Sequence, residues 1–450
     1  MSGDCRSQGR VHVVGAGLAG LAAAIDLAGQ GVEVTLYEAG PHAGGRCRSF
    51  VDGELGVRID NGNHLILSGN TAALSYIERI GALDTFERPA EAALPFIDLA
   101  TGERWALRPG QGRIPWWLLN AARRVPGTRG RDYLAALRLR CAGPGDTVAA
   151  ALGTQTPLFR RLWEPLAVAA LNTAAAEASA RLFWRVLAET IGRGAAFCRP
   201  MLAKEGLSES LVDPALALLS RRGSEVRFGA RLRALGFAAD RVSELVFDAT
   251  TVVLSACDSV VLAVPAAIAA RLVPELVVPD DYAPIVNGHF RYAAAADLSL
   301  FAGLVGGTAE WVFRKREVVS VTVSAADRVV GLPAEQLSER LWRDVARALG
   351  LGVGPAPPAR IVKERRATFR ATPAQLRRRP AAATNWPNLH LAGDYVDTGL
   401  PATIEGAIRS GFAAAARVRH GRTLAPATDR GPAPATPPPA DLAECQRALP

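Results

Sequence analysis

The segment from Val11 to Glu38 constrains the fold of this 450-residue chain more than any other part of it. It reads VHVVGAGLAGLAAAIDLAGQGVEVTLYE. The apolar run Val11–Val14 predicts a buried strand, the alanine-rich stretch 18–28 predicts a helix that Gly31 ends, and residues 32–37 predict a second strand. Two strands joined by a helix form a β-α-β unit, in which the strands pair in parallel and helices cover the sheet.

The turn between the first strand and the helix carries glycines with the spacing G-x-G-x-x-G. Gly15 permits the tight turn, Gly17 lets the backbone approach a pyrophosphate, and Gly20 lets the helix pack closely on the strand. The helix N-terminus presents N–H groups and a partial positive charge to phosphates. Glu38 ends the second strand, where a carboxylate can accept hydrogen bonds from ribose hydroxyls. A glycine-rich turn without a ligand needs no such acid, so the pattern predicts a dinucleotide site.

The residues after Glu38 narrow the choice of dinucleotide. Gly44 and Gly45 permit a second close approach of the backbone, and the planar guanidinium of Arg46 can pair with a phosphate. An acid at position 38 disfavours the 2′-phosphate of NADP. The run from the acid to G-G-R resembles the FAD-binding signature of the amine oxidase and phytoene desaturase superfamily. The resemblance implies FAD as the cofactor.

Two further segments resemble the same superfamily. Residues 388–411 contain NLHLAGD and PATIEGAIRSG, and residues 223–265 end in an acid, two valines and A-V-P. The resemblance implies that Asp394 contacts the ribitol and phosphate region, that the following loop brings backbone N–H groups to the flavin pyrimidine, and that Leu232 bonds the adenine through its backbone. The implied cofactor-binding residues are Gly15, Gly17, Gly20, Glu38, Gly45, Arg46, Leu232, Gly393, Asp394, Thr403, Ile404 and Glu405.

The predicted fold class is α/β, a Rossmann-type FAD-binding domain interleaved with an α+β substrate domain, as in amine oxidases. Residues 130–200 predict several helices, the alternating residues 284–325 predict strands of a second sheet, and residues 337–349 predict an amphipathic helix ended by Gly350. The predicted segments are 1–72, 205–265 and 360–420 for the FAD-binding domain, 73–204 and 266–359 for the substrate domain, and 421–450 for a disordered proline-rich tail.

Several longer motifs resemble a narrower family, the hydroxysqualene dehydroxylases of bacterial hopanoid synthesis, also called squalene-associated FAD-dependent desaturases. The resemblance extends from about Arg10 to Arg419. It implies conversion of hydroxysqualene to squalene, in which an allylic C–OH becomes C–H with electrons from the reduced flavin. The motifs are DNGNHL at 60–65, LWEPL at 162–166, ALNT at 170–173, LVDP at 211–214, NGHFR at 287–291, SVTVSAAD at 320–327, KERRATF at 363–369 and GLPATIEGA at 399–407.

Such a reaction needs an acid for the leaving hydroxyl and a site that holds a long apolar chain away from bulk water. His64 follows a glycine-bearing turn in the segment that approaches the flavin in relatives, and His289 lies on a predicted strand. Histidine titrates near neutral pH, so we predict these two as catalytic residues. Glu164 and Glu405 are further candidates for the acid. A structural role stays open for each of the four.

Other functions stay open on this scaffold. Desaturation of a carotenoid precursor such as phytoene would use a similar polyene with electrons flowing in the opposite direction. Amine oxidation would favour an aromatic cage and often a cysteine for a covalent flavin link, and no cysteine lies near Thr403 and Ile404. A non-catalytic flavin-binding or lipid-binding component of a membrane complex is a third alternative.

Composition limits the partners. The net charge is +9, but no nucleic-acid-binding motif accompanies it, so we predict no nucleic-acid partner. The six cysteines lack metal-site spacing and indicate reduced thiols and no metal. No signal peptide or spanning segment is recognised, which predicts a cytoplasmic protein. The apolar segment 114–119 with Arg123 fits either a lipid interface at the inner face of the cytoplasmic membrane or a core. Neighbouring squalene-pathway enzymes are further candidate partners.

Overall fold

The computed structural model describes residues 9–293, 299–352 and 354–423. Its strands are β1 (Val11–Val14), β2 (Val34–Tyr37), β3 (Ser49–Val51), β4 (Arg58–Asp60), β5 (Ile66–Leu67), β6 (Phe86–Glu87), β7 (Leu94–Asp98), β8 (Arg104–Leu107), β9 (Pro200–Ala203), β10 (Glu225–Arg227), β11 (Leu232–Ala238), β12 (Arg241–Phe247), β13 (Thr251–Val253), β14 (Ser259–Leu262), β15 (Tyr282–Arg291), β16 (Phe301–Val305), β17 (Trp311–Lys315), β18 (Val318–Val323), β19 (Ala359–Phe369) and β20 (Leu389–Leu391).

Its α-helices are α1 (Leu18–Ala28), α2 (Thr71–Arg79), α3 (Leu137–Arg140), α4 (Val148–Leu152), α5 (Glu164–Leu171), α6 (Ala180–Glu189), α7 (Asp213–Arg221), α8 (Ala266–Leu272), α9 (Ala334–Leu349), α10 (Pro373–Leu376) and α11 (Ile404–Thr423). Two π-helical segments, Phe159–Trp163 and Ser208–Val212, lead into α5 and α7. Short 3-10 turns, such as Trp116–Leu119 and Gly130–Ala136, occur mainly before α6.

A parallel sheet carries the first β-α-β unit. Its strand order is β10-β2-β1-β14-β20, and every neighbouring pair is parallel. All residues of β1, β2 and α1 are buried. Helix α1 covers one face of the sheet, and β11, β12 and α8 pack against the other face. Strands that are covered on both faces are uniformly apolar rather than alternating. The predicted β-α-β unit is confirmed.

A second, seven-stranded sheet has the order β19-β15-β18-β17-β16-β7-β8. One of its faces packs on the amphipathic helix α9, with Val319 and Val321 in the contact. The other face lies against the helical segment 130–190, and aromatic residues such as Phe96 and Trp311 fill that layer. The fold is therefore α/β with an interleaved α+β region, as predicted.

Three details differ from the sequence predictions. The boundary at residue 72 falls inside α2, whose buried face packs in the core of the parallel sheet. Strand β19, assigned to the FAD-binding segments, instead pairs with β15 in the seven-stranded sheet. Helix α11 continues to residue 423, and the remainder of the predicted tail lies outside the described residues. These boundaries are hard to read from sequence because tertiary packing, not composition, decides them.

The cysteine prediction also needs a correction. Cys257 is disulfide-bonded, so the expectation that all six cysteines are reduced thiols is wrong for this residue. Cys47 and Cys198 are free and buried, as expected for cysteines that pack as small apolar side chains. None of the described helices combines the length and the hydrophobicity that a membrane crossing requires.

Candidate functional site

The glycines of the first turn have different steric surroundings. Gly15 has φ +105°, and a Cβ there would lie 2.3 Å from the carbonyl oxygen of Ala263 on the neighbouring strand end. A Cβ at Gly20 would lie 1.9 Å from the carbonyl oxygen of Gly15. A Cβ at Gly17 would meet nothing within 4 Å. Gly15 and Gly20 are therefore required by the fold itself, whereas Gly17 borders open space.

That open space lies at the N-terminus of α1. Gly17 caps the helix without a side-chain hydrogen bond, and the first turn holds no acidic residue. Its first N–H groups therefore keep their partial positive charge for a ligand. A second glycine pair, Gly44 and Gly45, lies next to this turn. The N–H of Gly44 donates to the carbonyl of Ala16 at 2.8 Å. The geometry fits a pyrophosphate held by backbone N–H groups.

Glu38 is held in place at the end of β2. Its Oε2 accepts the N–H of Ala16 at 2.9 Å and its Oε1 accepts the N–H of Gly40 at 2.8 Å. Its carbonyl accepts the N–H of Ala230 at 2.8 Å, two residues before Leu232 begins β11. The structure therefore places Glu38 and Leu232 in one region, although they are far apart in the chain. Their contacts with ribose and adenine stay predictions.

Arg46 joins three distant segments. Its guanidinium bonds the carbonyl of Ala367 and forms an ion pair with Asp394 at 2.8 Å. The Asp394 carboxylate raises the pKa of Arg46 above its usual value, so the guanidinium stays charged. The side chain of Arg46 is 46% exposed, so its guanidinium is accessible to a ligand. An accessible cation at this point suits a phosphate.

The loop after Asp394 leads into α11. The N–H of Gly393 donates to Ser410 of that helix at 2.8 Å, and Thr403 accepts the N–H of Gly406 at 3.1 Å. Ile404 begins the helix, and because Thr403 already accepts the N–H of Gly406, the N–H groups of Ile404 and Glu405 are the ones left for a ligand. The predicted backbone contacts of Thr403 and Ile404 with the flavin stay predictions that this geometry permits.

Glu405 has a structural role that the sequence did not reveal. Its two oxygens accept the N–H groups of Ala72 at 3.1 Å and Ala73 at 2.8 Å, and they thereby cap α2. Arg409 also pairs with the carboxylate at 2.8 Å. Because both oxygens are occupied, we do not retain Glu405 as the acid, and its side chain is committed to the helix rather than to a ligand.

His64 lies next to Cys47, the residue that follows Arg46 in the chain. Its side chain is exposed, and its Nε2 is 4.0 Å from the Sγ of Cys47. Burial lowers the pKa of His64 to about 4, with smaller opposing effects from Asp60 and Arg46. The imidazole is therefore neutral at neutral pH, which differs from the expectation of a group that titrates there. A neutral imidazole can donate or accept a hydrogen bond, but it lacks the additional proton that a general acid would transfer to the leaving hydroxyl.

His289 lies on the seven-stranded sheet and is also neutral. Its Nδ1 is 2.8 Å from the Oγ of Ser320 on β18, and burial lowers its pKa to about 4. Its Nε2 has no hydrogen-bond partner among the described residues. Both predicted histidines thus face the region where the sheet meets the segment of residues 60–65, but neither carries the proton that an acid needs.

The sheet residues beside His289 form a lateral row across six strands. Consecutive strand pairings place these side chains next to one another on one face of the sheet. The ring of Phe96 lies over Gly303, where a Cβ would approach it to 2.5 Å. The lateral row consists of Trp105, Phe96, Gly303, Trp311, Thr322 and Asn287.

The row changes from aromatic to polar along its length. At the polar end, the hydroxyl of Thr322 donates to Oδ1 of Asn287 at 2.8 Å, and Asn63 donates to Thr322 at 3.1 Å. Asn287 also donates to the carbonyl of Asn61 at 3.4 Å. The polar end therefore contacts the loop that carries His64. A long apolar molecule with one polar group matches this gradient.

One partly buried acid has no marker in the sequence. Glu310 lies just before β17, and its Oε2 accepts the N–H of Ser324 at 2.8 Å. Burial raises the pKa of Glu310 to about 7, and Glu164 adds to the increase. Burial also raises the pKa of Glu164, one of the predicted acids. No sequence signal marks Glu310, since a lone glutamate before a strand is normally exposed.

The residues fit FAD as cofactor. The open space at Gly17, the N-terminus of α1 without a side-chain cap and the accessible cation of Arg46 supply a place for a pyrophosphate, and Glu38 lies at the end of the neighbouring strand for a ribose. Gly15, Gly17, Gly45, Arg46 and Asp394 would hold the cofactor. FAD, when bound, would supply the electron chemistry that no side chain can provide.

The neutral histidines predict an acid-sensitive fold. The unfolded chain binds protons at histidine near pH 6.5, whereas folded His289 binds one only near pH 4, so the free energy of unfolding should fall as the pH falls from 6.5 to 4. The contribution is at most about 3 kcal/mol. Denaturant unfolding of His289→Gln should show a weaker pH dependence in this window. His42→Gln, at an exposed position, should keep the full dependence; equal slopes for all three proteins would contradict the prediction.

Comparison with known proteins agrees with the assignment of FAD to this site. A family model described as flavin-containing amine oxidoreductase matches residues 18–419. The chain is similar to a hydroxysqualene dehydroxylase of Rhodopseudomonas palustris, with 48% identity over 90% of this chain and 97% of that protein. A second hydroxysqualene dehydroxylase, of Sinorhizobium fredii, is 45% identical over 90% of this chain and 97% of its own length.

More distant proteins share the fold. A probable zeta-carotene desaturase of Synechococcus elongatus is 25% identical over 92% of this chain and all of that protein. The crystal structure of a putative protoporphyrinogen oxidase from Exiguobacterium superposes with a TM-score of 0.66 at 18% identity, over 92% of this chain and 99% of that one. The chain belongs to the flavin-containing amine oxidoreductase family and, within it, to the family of hydroxysqualene dehydroxylases.

Proposed function

We propose that this protein catalyses the FAD-dependent reductive dehydroxylation of hydroxysqualene to squalene. The observation that carries the proposal is the lateral row, which leads from an aromatic floor to a polar end beside His64 and the FAD-binding residues. Sequence identities of 48% and 45% to two hydroxysqualene dehydroxylases, each over nine-tenths of the chain, support the same function. The carotenoid desaturase alternative has a weaker basis, since a carotene desaturase that matches over 92% of this chain is 25% identical.

The side chains of the site perform distinct tasks in this reaction. Phe96, Trp311 and the helical layer above them exclude water and hold the isoprenoid chain. Asn287 and Thr322 form a polar site for the hydroxyl group. Arg46 stays positively charged and would attract a phosphate of the cofactor. Reduced FAD, when bound, supplies the electrons for the new C–H bond.

An anaerobic single-turnover assay tests this function. The purified protein is reduced, mixed with hydroxysqualene, and followed both by the flavin spectrum and by mass spectrometry of the lipid. We expect squalene in stoichiometric amount with flavin reoxidation. Oxidised protein with phytoene is the parallel sample. A desaturated product there, with no squalene in the first sample, would overturn the proposal in favour of a carotenoid desaturase.

We further propose that the protein contacts an anionic membrane surface, from which its apolar substrate would enter. Ile114, Trp116 and Leu119 are 59%, 69% and 78% exposed and form an apolar surface patch. Trp117, between them, is instead buried and anchors the turn. The segment 113–140 carries seven arginines and one aspartate, which suits anionic lipid. The buried Trp117 gives the segment a core role, and the exposed residues around it support the proposed lipid-facing role.

Vesicle sedimentation tests the contact. The double variant Trp116→Ser and Leu119→Ser should bind vesicles containing phosphatidylglycerol at least about tenfold more weakly, because two large apolar side chains no longer enter the interface. Val253→Ser, at a 77% exposed position elsewhere, is the matched control and should bind as the wild type does. Equal sedimentation of all three proteins would contradict the proposal.

A further inference from the structure

A buried arginine packs against the loop that carries Asp394. Residues 394–400, the cofactor loop, lie between β20 and the start of α11. Arg379 follows the short helix α10, and only 2% of its side chain is exposed. A buried cation is costly unless polar groups surround it, so the contacts of Arg379 show where its charge acts.

The guanidinium of Arg379 donates hydrogen bonds to four carbonyl groups of this one loop. The donor–acceptor distances are 3.4 Å to Asp394, 3.3 Å to Tyr395, 2.5 Å to Val396 and 2.7 Å to Leu400. Its Nη1 also lies 3.6 Å from the carboxylate of Asp397. All three nitrogen atoms of the guanidinium therefore bond the cofactor loop, and a planar fork suits several acceptors at fixed angles.

Asp394 and Tyr395 are the central residues of a turn that starts at Gly393. A backbone hydrogen bond of 3.2 Å to the carbonyl of Gly393 closes this turn. The carbonyls of the two central residues are directed to Arg379, whereas their N–H groups bond no acceptor in the part of the chain that the structure describes. Backbone N–H groups without a partner suit a ligand oxygen. Because the Asp394 carboxylate also pairs with Arg46, these donors lie next to the cation assigned to a phosphate of FAD.

The shape of the cofactor loop depends on the bonds to Arg379. Residues 394–400 lie outside the helices and strands, and the backbone turns at Gly399, where φ is +75°. The N–H of Asp397 donates to the carbonyl of Pro380 at 2.8 Å, so Arg379 and Pro380 hold the loop from one short segment. Without the guanidinium, four carbonyls would converge on a point with no donor, which is unfavourable in a buried site. Removal of the guanidinium should therefore let the loop adopt other conformations.

We propose that Arg379 is a positioning residue for FAD, because it holds the cofactor loop in its binding conformation before the cofactor arrives. The free-energy cost of ordering the loop then falls on folding and not on FAD binding. Arg379 acts through the backbone of Asp394 and Tyr395, and not through a contact of its own with FAD. This role is independent of which polyene the protein converts.

Titration of full-length apoproteins with FAD tests this role. Arg379→Gln removes the charge and the fork, whereas Arg379→Lys keeps a charge but has one ammonium group that cannot span four carbonyls. If the loop adopts its binding conformation in about a tenth of the variant molecules, the dissociation constant of FAD rises about tenfold. We expect at least this rise for both variants, and the larger rise for Arg379→Gln.

Arg378→Gln is the matched control, because it removes the neighbouring arginine without a change at the cofactor loop. Arg378 donates to the carbonyl of Val278 at 3.0 Å and pairs with Asp280 at 2.7 Å, and its side chain is 41% exposed. This variant should bind FAD as the wild type does. Folded Arg379 variants that bind FAD within about threefold of the wild-type dissociation constant would overturn the inference, even if their unfolding temperatures fall.

Hydrogen exchange of the wild-type apoprotein gives a readout that needs no variant. Residues 394–400 should exchange nearly as slowly without FAD as with it, because Arg379 already orders them. In Arg379→Lys, exchange of this loop should become faster, while exchange of β1 and α1 stays the same. A wild-type loop that is protected only when FAD is bound would overturn the inference. None of these measurements uses hydroxysqualene, so failure of this role and failure of the proposed function are separate results.

Discussion

Gly17→Val is expected to remove FAD binding while the apoprotein unfolds at the wild-type temperature. A Cβ at Gly17 meets no protein atom within 4 Å, and the residue has φ −73°, so the fold tolerates a branched side chain there. The same side chain would occupy the space that a pyrophosphate needs at the N-terminus of α1. We expect the dissociation constant of FAD to rise at least about 100-fold, or about 2.7 kcal/mol.

Gly20→Ala is the matched control for this prediction. Its Cβ would lie 1.9 Å from the carbonyl oxygen of Gly15, so it must force helix and turn apart. We therefore expect this smaller substitution to destabilise the apoprotein itself, by about 1–3 kcal/mol, as overpacking does elsewhere. Flavin absorbance after denaturation measures occupancy, and thermal unfolding of both apoproteins measures the fold. Full flavin occupancy in Gly17→Val would show that the cofactor does not bind at this turn.

Asn287→Leu is expected to damage both stability and activity. Asn287 is 1% exposed and bonds Thr322 and the carbonyl of Asn61, so an apolar replacement leaves buried groups unsatisfied. The free energy of unfolding should fall by about 3 kcal/mol. Because the lost bonds position the loop that carries His64, kcat/KM for hydroxysqualene should fall at least about tenfold.

Thr322→Ser is the control for the polar end of the row. Serine keeps the hydroxyl that donates to Asn287, so it should retain most of the stability and activity. Denaturant unfolding and steady-state kinetics on the three proteins separate the two effects. Unfolding of Asn287→Leu at the wild-type denaturant concentration would contradict the proposed importance of this hydrogen-bonded group.

The sequence predicted the parts of the site that local rules govern. Helix α1 begins and ends where the glycine spacing placed it, because a β-α-β unit is set by nearby residues. The meeting of Arg46 with Asp394 could be anticipated only through the resemblance to a known family. Strand β19 was assigned to the other domain, because a strand contains no local record of the sheet that it joins.

The chemical state of the site was the least predictable part. His64 was expected to titrate near neutral pH, yet burial keeps it neutral, and Glu405 was considered as an acid, yet it caps α2. Glu310 shows the reverse case. A glutamate becomes an acid with a pKa of about 7 only when distant segments exclude water from it, and sequence does not show which segments will do so.

The strand order of the parallel sheet also has a consequence for biosynthesis. Its edge strand β20 comes from residues 389–391. The ion pair between Arg46 and Asp394 cannot form until Asp394 has been synthesised, about 350 residues later in the chain. At a typical rate of ~5–20 residues per second, the ribosome needs roughly 20–70 s to deliver the second half of this ion pair. The cofactor pocket therefore cannot close until late in translation, and FAD should enter a nascent protein only after almost the whole chain has emerged. Folding dominated by such distant contacts is slow, and FAD binding to the folded form should reduce the fraction of newly made protein that is lost to aggregation.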